Sequence, residues 1–250
     1  MSDLTPPWTA VQPDRQQVRP LISPEGLTYR LSVSRPRTAA PAAGFGAIVV
    51  LDGARHFQAV AAAAEALGQR TEKTAVEPLV VIGVDHDAPE AAIQDARARD
   101  FTSGPCPEPG WTRPHGQAAA FRRFLIEQAL PAAAEAAPLD PQRRTLFGHS
   151  LGGLFVLETL EAAPDLFSRW VAISPSLWWR TPGNDRANDR LLLGYGETET
   201  ARDMRGRIET WAAGGGAPGL RPVLTMAPGA DHGSAPFSLI PNALRHASRA

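Results

Sequence analysis

The sequence predicts an α/β fold in which a mostly parallel central sheet is covered by helices on both faces. Segments of strand character alternate with segments of helical character along the chain, and several of the strand segments are apolar without interruption. The run Gly148-His149-Ser150-Leu151-Gly152 lies between one such strand and one such helix.

The elements follow in order. After a proline-rich lead over residues 1–20, residues 27–34 alternate apolar and polar side chains as a half-buried strand does. Residues 47–51 (AIVVL) are apolar throughout, which is the pattern of a central strand. Residues 57–67 form an alanine-rich helix, and residues 79–84 (LVVIGV) a second buried strand. A long helix over 117–137 puts Phe121, Phe124, Leu125 and Leu130 on one side. Strand 143–147 leads into the glycine-flanked serine, and Leu154, Phe155, Leu157 and Leu160 recur at helical spacing beyond it. Strands at 170–173, 191–193 and 222–226, with helices at 201–212 and 236–247, complete the alternation. Functional loops leave the carboxyl ends of the strands in such a sheet, so the segments after Leu51, Val84, Phe147, Ile173, Leu193 and Met226 are expected to converge.

A chain of 250 residues, 43% hydrophobic and 20% charged, fits one domain over residues 1–250 with no separate lid domain. The net charge of −1 and the scattered arginines leave no footprint for nucleic acid. No run nears the roughly 20 apolar residues that cross a bilayer, so no membrane partner is expected. The chain opens without a basic start followed by an apolar core, which points to a cytoplasmic location. Cys106 is alone, which leaves neither an intrachain disulfide nor a cysteine metal cluster. Asp85-His86-Asp87 are three successive loop residues, a spacing that seldom converges on one ion, and the expectation is no metal and no cofactor.

The chemistry enters at Ser150. A serine on a tight strand-to-helix turn sits in strained backbone geometry and needs small neighbours, and Gly148 and Gly152 supply that room. The start of the following helix favours negative charge, which makes the Leu151 N–H a first oxyanion donor. The serine hydroxyl needs a base. His232 follows the last predicted strand between Gly229 and Gly233, and the chain order nucleophile, acid, histidine is that of the α/β-hydrolase fold. His149 adjoins the serine but is expected to diverge from its hydroxyl; His56, His86 and His115 precede it, and His246 lies in the terminal helix. The acid is expected after strand 191–193, where Glu199 and Glu197 are both eligible; each also suits the opening of the next helix, and a Ser-His dyad without an acid is the third option. A second oxyanion donor is expected at Gly53 or Ala54, with Asp52 read as a cap or turn former.

Several segments together resemble the ferric-siderophore esterases, trilactone hydrolases of the enterobactin and salmochelin type within the esterase-D-like α/β-hydrolases. They are Leu51-Asp52-Gly53, Arg97-Ala98-Arg99-Asp100-Phe101-Thr102, Gly148 to Gly153, Ser174-Pro175-Ser176-Leu177-Trp178-Trp179 and Asp231-His232-Gly233. The resemblance implies hydrolysis of catecholate trilactones, carrying iron or not, with no cofactor. It implies nucleophile Ser150, base His232 and oxyanion N–H groups at Leu151 and Gly53. It also suggests Arg99 and Arg97 as contacts for an anionic substrate, the rival for Arg99 being a structural pair with Asp100. Trp178 or Trp179 is expected to line the pocket and the other to pack in the core. Two other readings compete with trilactone hydrolysis: a general carboxylesterase or thioesterase for small acyl conjugates, and a non-catalytic binding module on the same scaffold.

Overall fold

The apolar runs become strands of one eight-stranded sheet, in a computed structural model that describes residues 15–214 and 221–249. In chain order the elements are β1 (Gln16–Ile22), β2 (Thr28–Ser34), β3 (Phe45–Leu51), α1 (Gly53–Gly68), α2 (Thr71–Thr74), β4 (Leu79–His86), α3 (Glu90–Phe101), α4 (Ala118–Phe124), α5 (Leu130–Ala136) and β5 (Leu139–His149). There follow α6 (Leu151–Ala162), β6 (Arg169–Ile173), β7 (Leu191–Gly196), α7 (Met204–Gly214), β8 (Val223–Ala227), α8 (Ala235–Ser238) and α9 (Ile240–Ala247). The strand order is β1-β2-β4-β3-β5-β6-β7-β8. The β1/β2 and β2/β4 pairs are antiparallel, and every later pair is parallel.

Successive side chains of a strand point to opposite faces, and here both faces are covered. Ala47, Val49 and Leu51 of β3 join Phe101 of α3, Phe121 of α4 and Phe155 of α6 in one core. Ile48 and Val50 join Phe57 and Val60 of α1 and Leu244 of α9 in the other. An uninterrupted apolar strand is the sequence mark of that double burial, each large side chain contributing roughly 1.5–3 kcal/mol.

Four departures from the sequence reading have physical causes. Residues 1–14 of the expected lead lie outside the described residues, but residues 16–20 belong to β1, an edge strand held by main-chain pairing from Gln16 opposite Ser34 to Ile22 opposite Thr28. Its Val18 and Ile22 are exposed, so no burial pattern announces it. Helix α3 was not anticipated, because it buries Arg97 and Asp100 where an apolar stripe would stand. The helix predicted over 117–137 divides into α4 and α5 around a π-helical turn at Leu125–Ala129. Pro131 in the first turn of α5 lacks an N–H, and the ladder widens just ahead of it. Strand β5 runs well before residue 143, through Pro141.

Two histidines are folded into this frame. Burial pushes His56 of α1 and His246 of α9 down from 6.5 to about 4. Both stay neutral in the folded chain at pH values where the unfolded chain takes up a proton, so their contribution is complete above about 6.5 and is lost as pH falls toward about 4. Urea denaturation between those limits is expected to show stability falling with pH by about 1.4 kcal/mol per unit for each histidine. His246→Gln should remove one share of that slope, and an unchanged slope would contradict the assignment.

Candidate active site

The turn between β5 and α6 holds Ser150 at φ 59° and ψ −119°. A side chain there costs about 1–3 kcal/mol, so the surroundings must over-determine it. They do so by main-chain bonds: the Ser150 N–H donates to the Ile173 carbonyl at 3.0 Å, and the Leu154 and Ser176 N–H groups donate to the Ser150 carbonyl at 2.9 and 3.1 Å. A β-carbon at Gly148 would stand 2.2 Å from the Gly152 carbonyl oxygen, and one at Gly153 would stand 3.0 Å from the Ile173 carbonyl oxygen. At Gly152 the nearest atom would be 3.6 Å away, an ordinary contact. Close approach therefore requires glycine at 148 and crowds any side chain at 153, whereas 152, which the motif suggested, has ordinary room.

Three loops from the carboxyl ends of β5, β7 and β8 meet at this turn. The Ser150 hydroxyl donates to Nε2 of His232 at 3.1 Å, and Nδ1–H of His232 donates to Oε2 of Glu199 at 3.2 Å, the tautomer being the one these partners require. The other oxygen of Glu199 accepts the Ser174 hydroxyl at 2.5 Å and the Gly196 N–H at 2.7 Å. The Ser176 hydroxyl stands 3.4 Å from that of Ser150. The Glu199 side chain is 1% exposed and that of His232 is 44% exposed, so the carboxylate is shut in while the imidazole faces the cavity. Burial pushes the Glu199 carboxyl up, but the bonds from His232, Ser174 and Gly196 outweigh it and hold the group below the usual carboxylate range. Glu199 is therefore ionised at neutral pH.

Of the two eligible carboxylates, only Glu199 touches His232. Glu197 accepts the Gly229 N–H at 2.8 Å and so supports the loop that carries His232. His149 diverges from the serine hydroxyl, and its buried ring packs against that of His232 with centroids 4.6 Å apart. Burial and the neighbouring His232 and His56 hold His149 well below its ordinary value, so His232 rests on an uncharged ring.

Leu151 and Gly53 are the first residues of α6 and α1, where helix N–H groups have no acceptor within the helix. The two helix starts adjoin, since a β-carbon at Gly152 would lie 3.6 Å from the Asp52 carboxylate. Asp52 itself takes φ 54° and ψ 52°, and its carbonyl accepts the Arg55 and His56 N–H groups. Its carboxylate does not cap the helix; it accepts Nε and Nη2 of Arg97 at 2.7 and 2.9 Å.

That pair corrects the expectation for Arg97, whose guanidinium is spent on Asp52 and Gln94 and is not among the groups lining the Ser150 cavity. Arg99 makes a two-point pair with Asp100 at 2.7 and 2.8 Å and lines a different cavity, of about 630 Å³, beside Tyr29 and His115. Carboxylates within the chain match the guanidinium fork and take both arginines. Trp178 lies with Ser150, Thr198, Met204 and His232 on a cavity of about 410 Å³, whereas Trp179 is buried and donates to the Gly104 carbonyl at 3.0 Å. Sequence reasoning missed Arg202, whose guanidinium carbon sits 3.6 Å above the Trp178 ring on the same cavity. No pattern marks it, because it is one arginine among charged neighbours, placed by a left-handed φ of 54°.

Asp85 pairs with Arg30 and His86 with Asp100, and among the described residues no group of three or more His, Cys, Asp or Glu could hold a metal ion. Among the same residues no helix is long and apolar enough to cross a membrane.

The Esterase family model matches residues 26–208. Ferri-bacillibactin esterase BesA of Bacillus subtilis is 39% identical over 165 residues, which make up 63% of this chain and 57% of that one. Apo-salmochelin esterase of Escherichia coli is 33% identical over 157 residues, 60% of this chain and 47% of that one. Siderophore enterobactin esterase of Emericella nidulans is 34% identical over 195 residues, 71% of this chain and 59% of that one. The chain thus spans about half the length of the curated relatives it matches. Among solved structures, the BES protein from Bacillus cereus superposes with a TM-score of 0.85 over 98% of this chain and 100% of that one at 24% identity. Siderophore hydrolase EstA from Aspergillus nidulans does so with 0.73 over 96% of each chain at 22% identity. The fold is that of the α/β-hydrolases.

The Arg97–Asp52 pair is buried, and removing one partner leaves a bare charge in the turn that opens α1. Arg97→Leu is expected to lower unfolding stability by about 3–5 kcal/mol in urea titrations. Asp52→Asn combined with it should recover part of that loss, and two losses that simply add would contradict the pairing account.

Proposed function

The chain belongs to the Esterase family, and on that premise we propose that it is a serine esterase hydrolysing the carboxylic ester bonds of siderophores, catecholate trilactones foremost. The observation that carries the reading is the hydrogen-bonded line from Ser150 through His232 to Glu199, with the serine and imidazole open to a cavity of about 410 Å³. The relatives, esterases of ferri-bacillibactin, salmochelin and enterobactin, support the substrate class. The Trp178 wall supports an aromatic substrate. A single domain, a cytoplasmic location and a small-molecule partner belong to the same reading.

Ser150 attacks the ester carbonyl as Nε2 of His232 takes its proton, and Glu199 stabilises the imidazolium that forms. The carbonyl oxygen becomes an oxyanion held by the Leu151 and Gly53 N–H groups at two helix starts. The intermediate collapses to an acyl-Ser150 ester, and the alcohol departs with the proton from His232. Water then gives a proton to His232 as it attacks the acyl carbon, and the second tetrahedral intermediate releases the carboxylic acid while His232 returns that proton to the Ser150 oxygen. Burial keeps His149 uncharged beneath the imidazole, so it adds no like-charge repulsion when His232 becomes an imidazolium.

Ser150→Ala is expected to cut kcat on a chromogenic short-chain ester by at least about 10³-fold, and wild-type turnover would overturn the mechanism. Glu199→Gln should lower kcat by about 10²–10⁴-fold, while Glu197→Gln stays within about threefold. A larger loss at Glu197 would exchange the two assignments. A catecholate trilactone should exceed a simple aryl ester in kcat/KM, and the reverse preference would remove the substrate class while leaving the chemistry.

A further inference from the structure

Ser174 is fully buried, directly after β6, and holds φ 44°. That is a left-handed backbone in which glycine sits without strain and serine does not. The geometry around it divides into two jobs. Its N–H donates to the Gly194 carbonyl at 2.7 Å, a bond that any residue could make. Its hydroxyl donates to Oε1 of Glu199 at 2.5 Å, a bond that needs the side chain. The bend that begins here also brings Ser176 around, so that its N–H and hydroxyl meet Ser150 while the Ile173 carbonyl receives the Ser150 N–H. One turn thus touches the nucleophile at one end and the carboxylate at the other.

We propose that Ser174 is a positioning residue of the hydrolytic centre: its hydroxyl locks Oε1 of Glu199 so that Oε2 faces Nδ1 of His232, and the strained backbone is retained for that hydroxyl. The inference rests on the reading of Ser150, His232 and Glu199 as the reacting line. Glu199 lies at the start of an irregular segment, past the end of β7 and ahead of the left-handed residues Arg202 and Asp203. Nothing helical or stranded holds its backbone. A glutamate side chain has three rotatable bonds, so its carboxylate plane is set by whatever donates to it. Two donors on Oε1, one from the Gly196 main chain and one from Ser174, fix the position and the rotation together. Without Ser174, Oε1 keeps only the Gly196 N–H, and the carboxylate is then oriented in part by the very imidazole it has to orient. Charge-assisted bonds of this kind are the stronger ones, and their loss is felt at the group they orient.

The test is Ser174→Gly, which removes the hydroxyl and also the reason for the strain. The variant should melt above Ser174→Ala, because glycine accepts the backbone that alanine does not. Its kcat on a neutral chromogenic ester should nonetheless fall by about tenfold or more while KM changes by less than about twofold. Ser174→Ala should show the same kinetic loss with a lower melting temperature. In the Glu199→Gln background the Ser174→Gly change should cost less than about twofold further, because the carboxylate it orients is gone. Wild-type kcat in Ser174→Gly, or an equal loss with and without Glu199, would overturn the proposal. A wild-type enzyme whose turnover survives Ser150→Ala would instead overturn the underlying reaction, and the two failures are read from different variants.

Discussion

The left-handed backbone of Ser150 is the constraint on which the rest of the molecule turns. It forces β5 to give way to α6 within one residue, and it admits no side chain at Gly148, where the Gly152 carbonyl oxygen would be 2.2 Å from a β-carbon. The strain of about 1–3 kcal/mol is offset by the parallel sheet around it. β6 supplies the Ile173 carbonyl to the Ser150 N–H, and α6 closes its first turn on the Ser150 carbonyl. The two cores, one on each face of the sheet, hold these strands in register. Ser150 keeps its strained conformation, half-buried at the edge of the cavity, because the backbone beneath it is overdetermined.

Charge is distributed around that turn by burial. Glu199 is closed off and kept ionised by three donors, His232 is half open, and His149 beneath it is buried and uncharged. A buried anion, a half-open imidazole and an uncharged ring beneath it are the arrangement that the proposed proton transfer between serine and substrate uses. The Arg97–Asp52 pair acts at the other helix start, where it holds the turn that presents Gly53. The two arginines that the resemblance suggested as substrate contacts each pair with a carboxylate of their own chain.

Much of this is legible in the residues, and what is not has identifiable reasons. Every strand buried on both faces is visible as an apolar run, and the order Ser150, Glu199, His232 follows from which strand precedes each loop. The choice between Glu199 and Glu197 is invisible, since two residues apart on one loop differ only in which way the chain turns. Helix α3 is hidden because the fold buries ion pairs where periodicity looks for leucines. β1 is hidden because main-chain pairing at the sheet edge holds it while Val18 and Ile22 stay exposed. Ser174 and Arg202 are hidden because both depend on left-handed backbone, which a serine or an arginine does not advertise. Glycine spacing is legible only in part: the motif names Gly152, while contact distances name Gly153.

The account stands on Ser150 being the one hydroxyl made nucleophilic by its neighbours, although Ser176 lies 3.4 Å from it. The direct measurement is peptide mapping by mass spectrometry after reaction with a fluorophosphonate, in the native protein and in His232→Ala. The account predicts a single phosphonyl group on Ser150, formed slowly or not at all without His232. An adduct on Ser176 or elsewhere, or labelling of Ser150 at the native rate without His232, would contradict it.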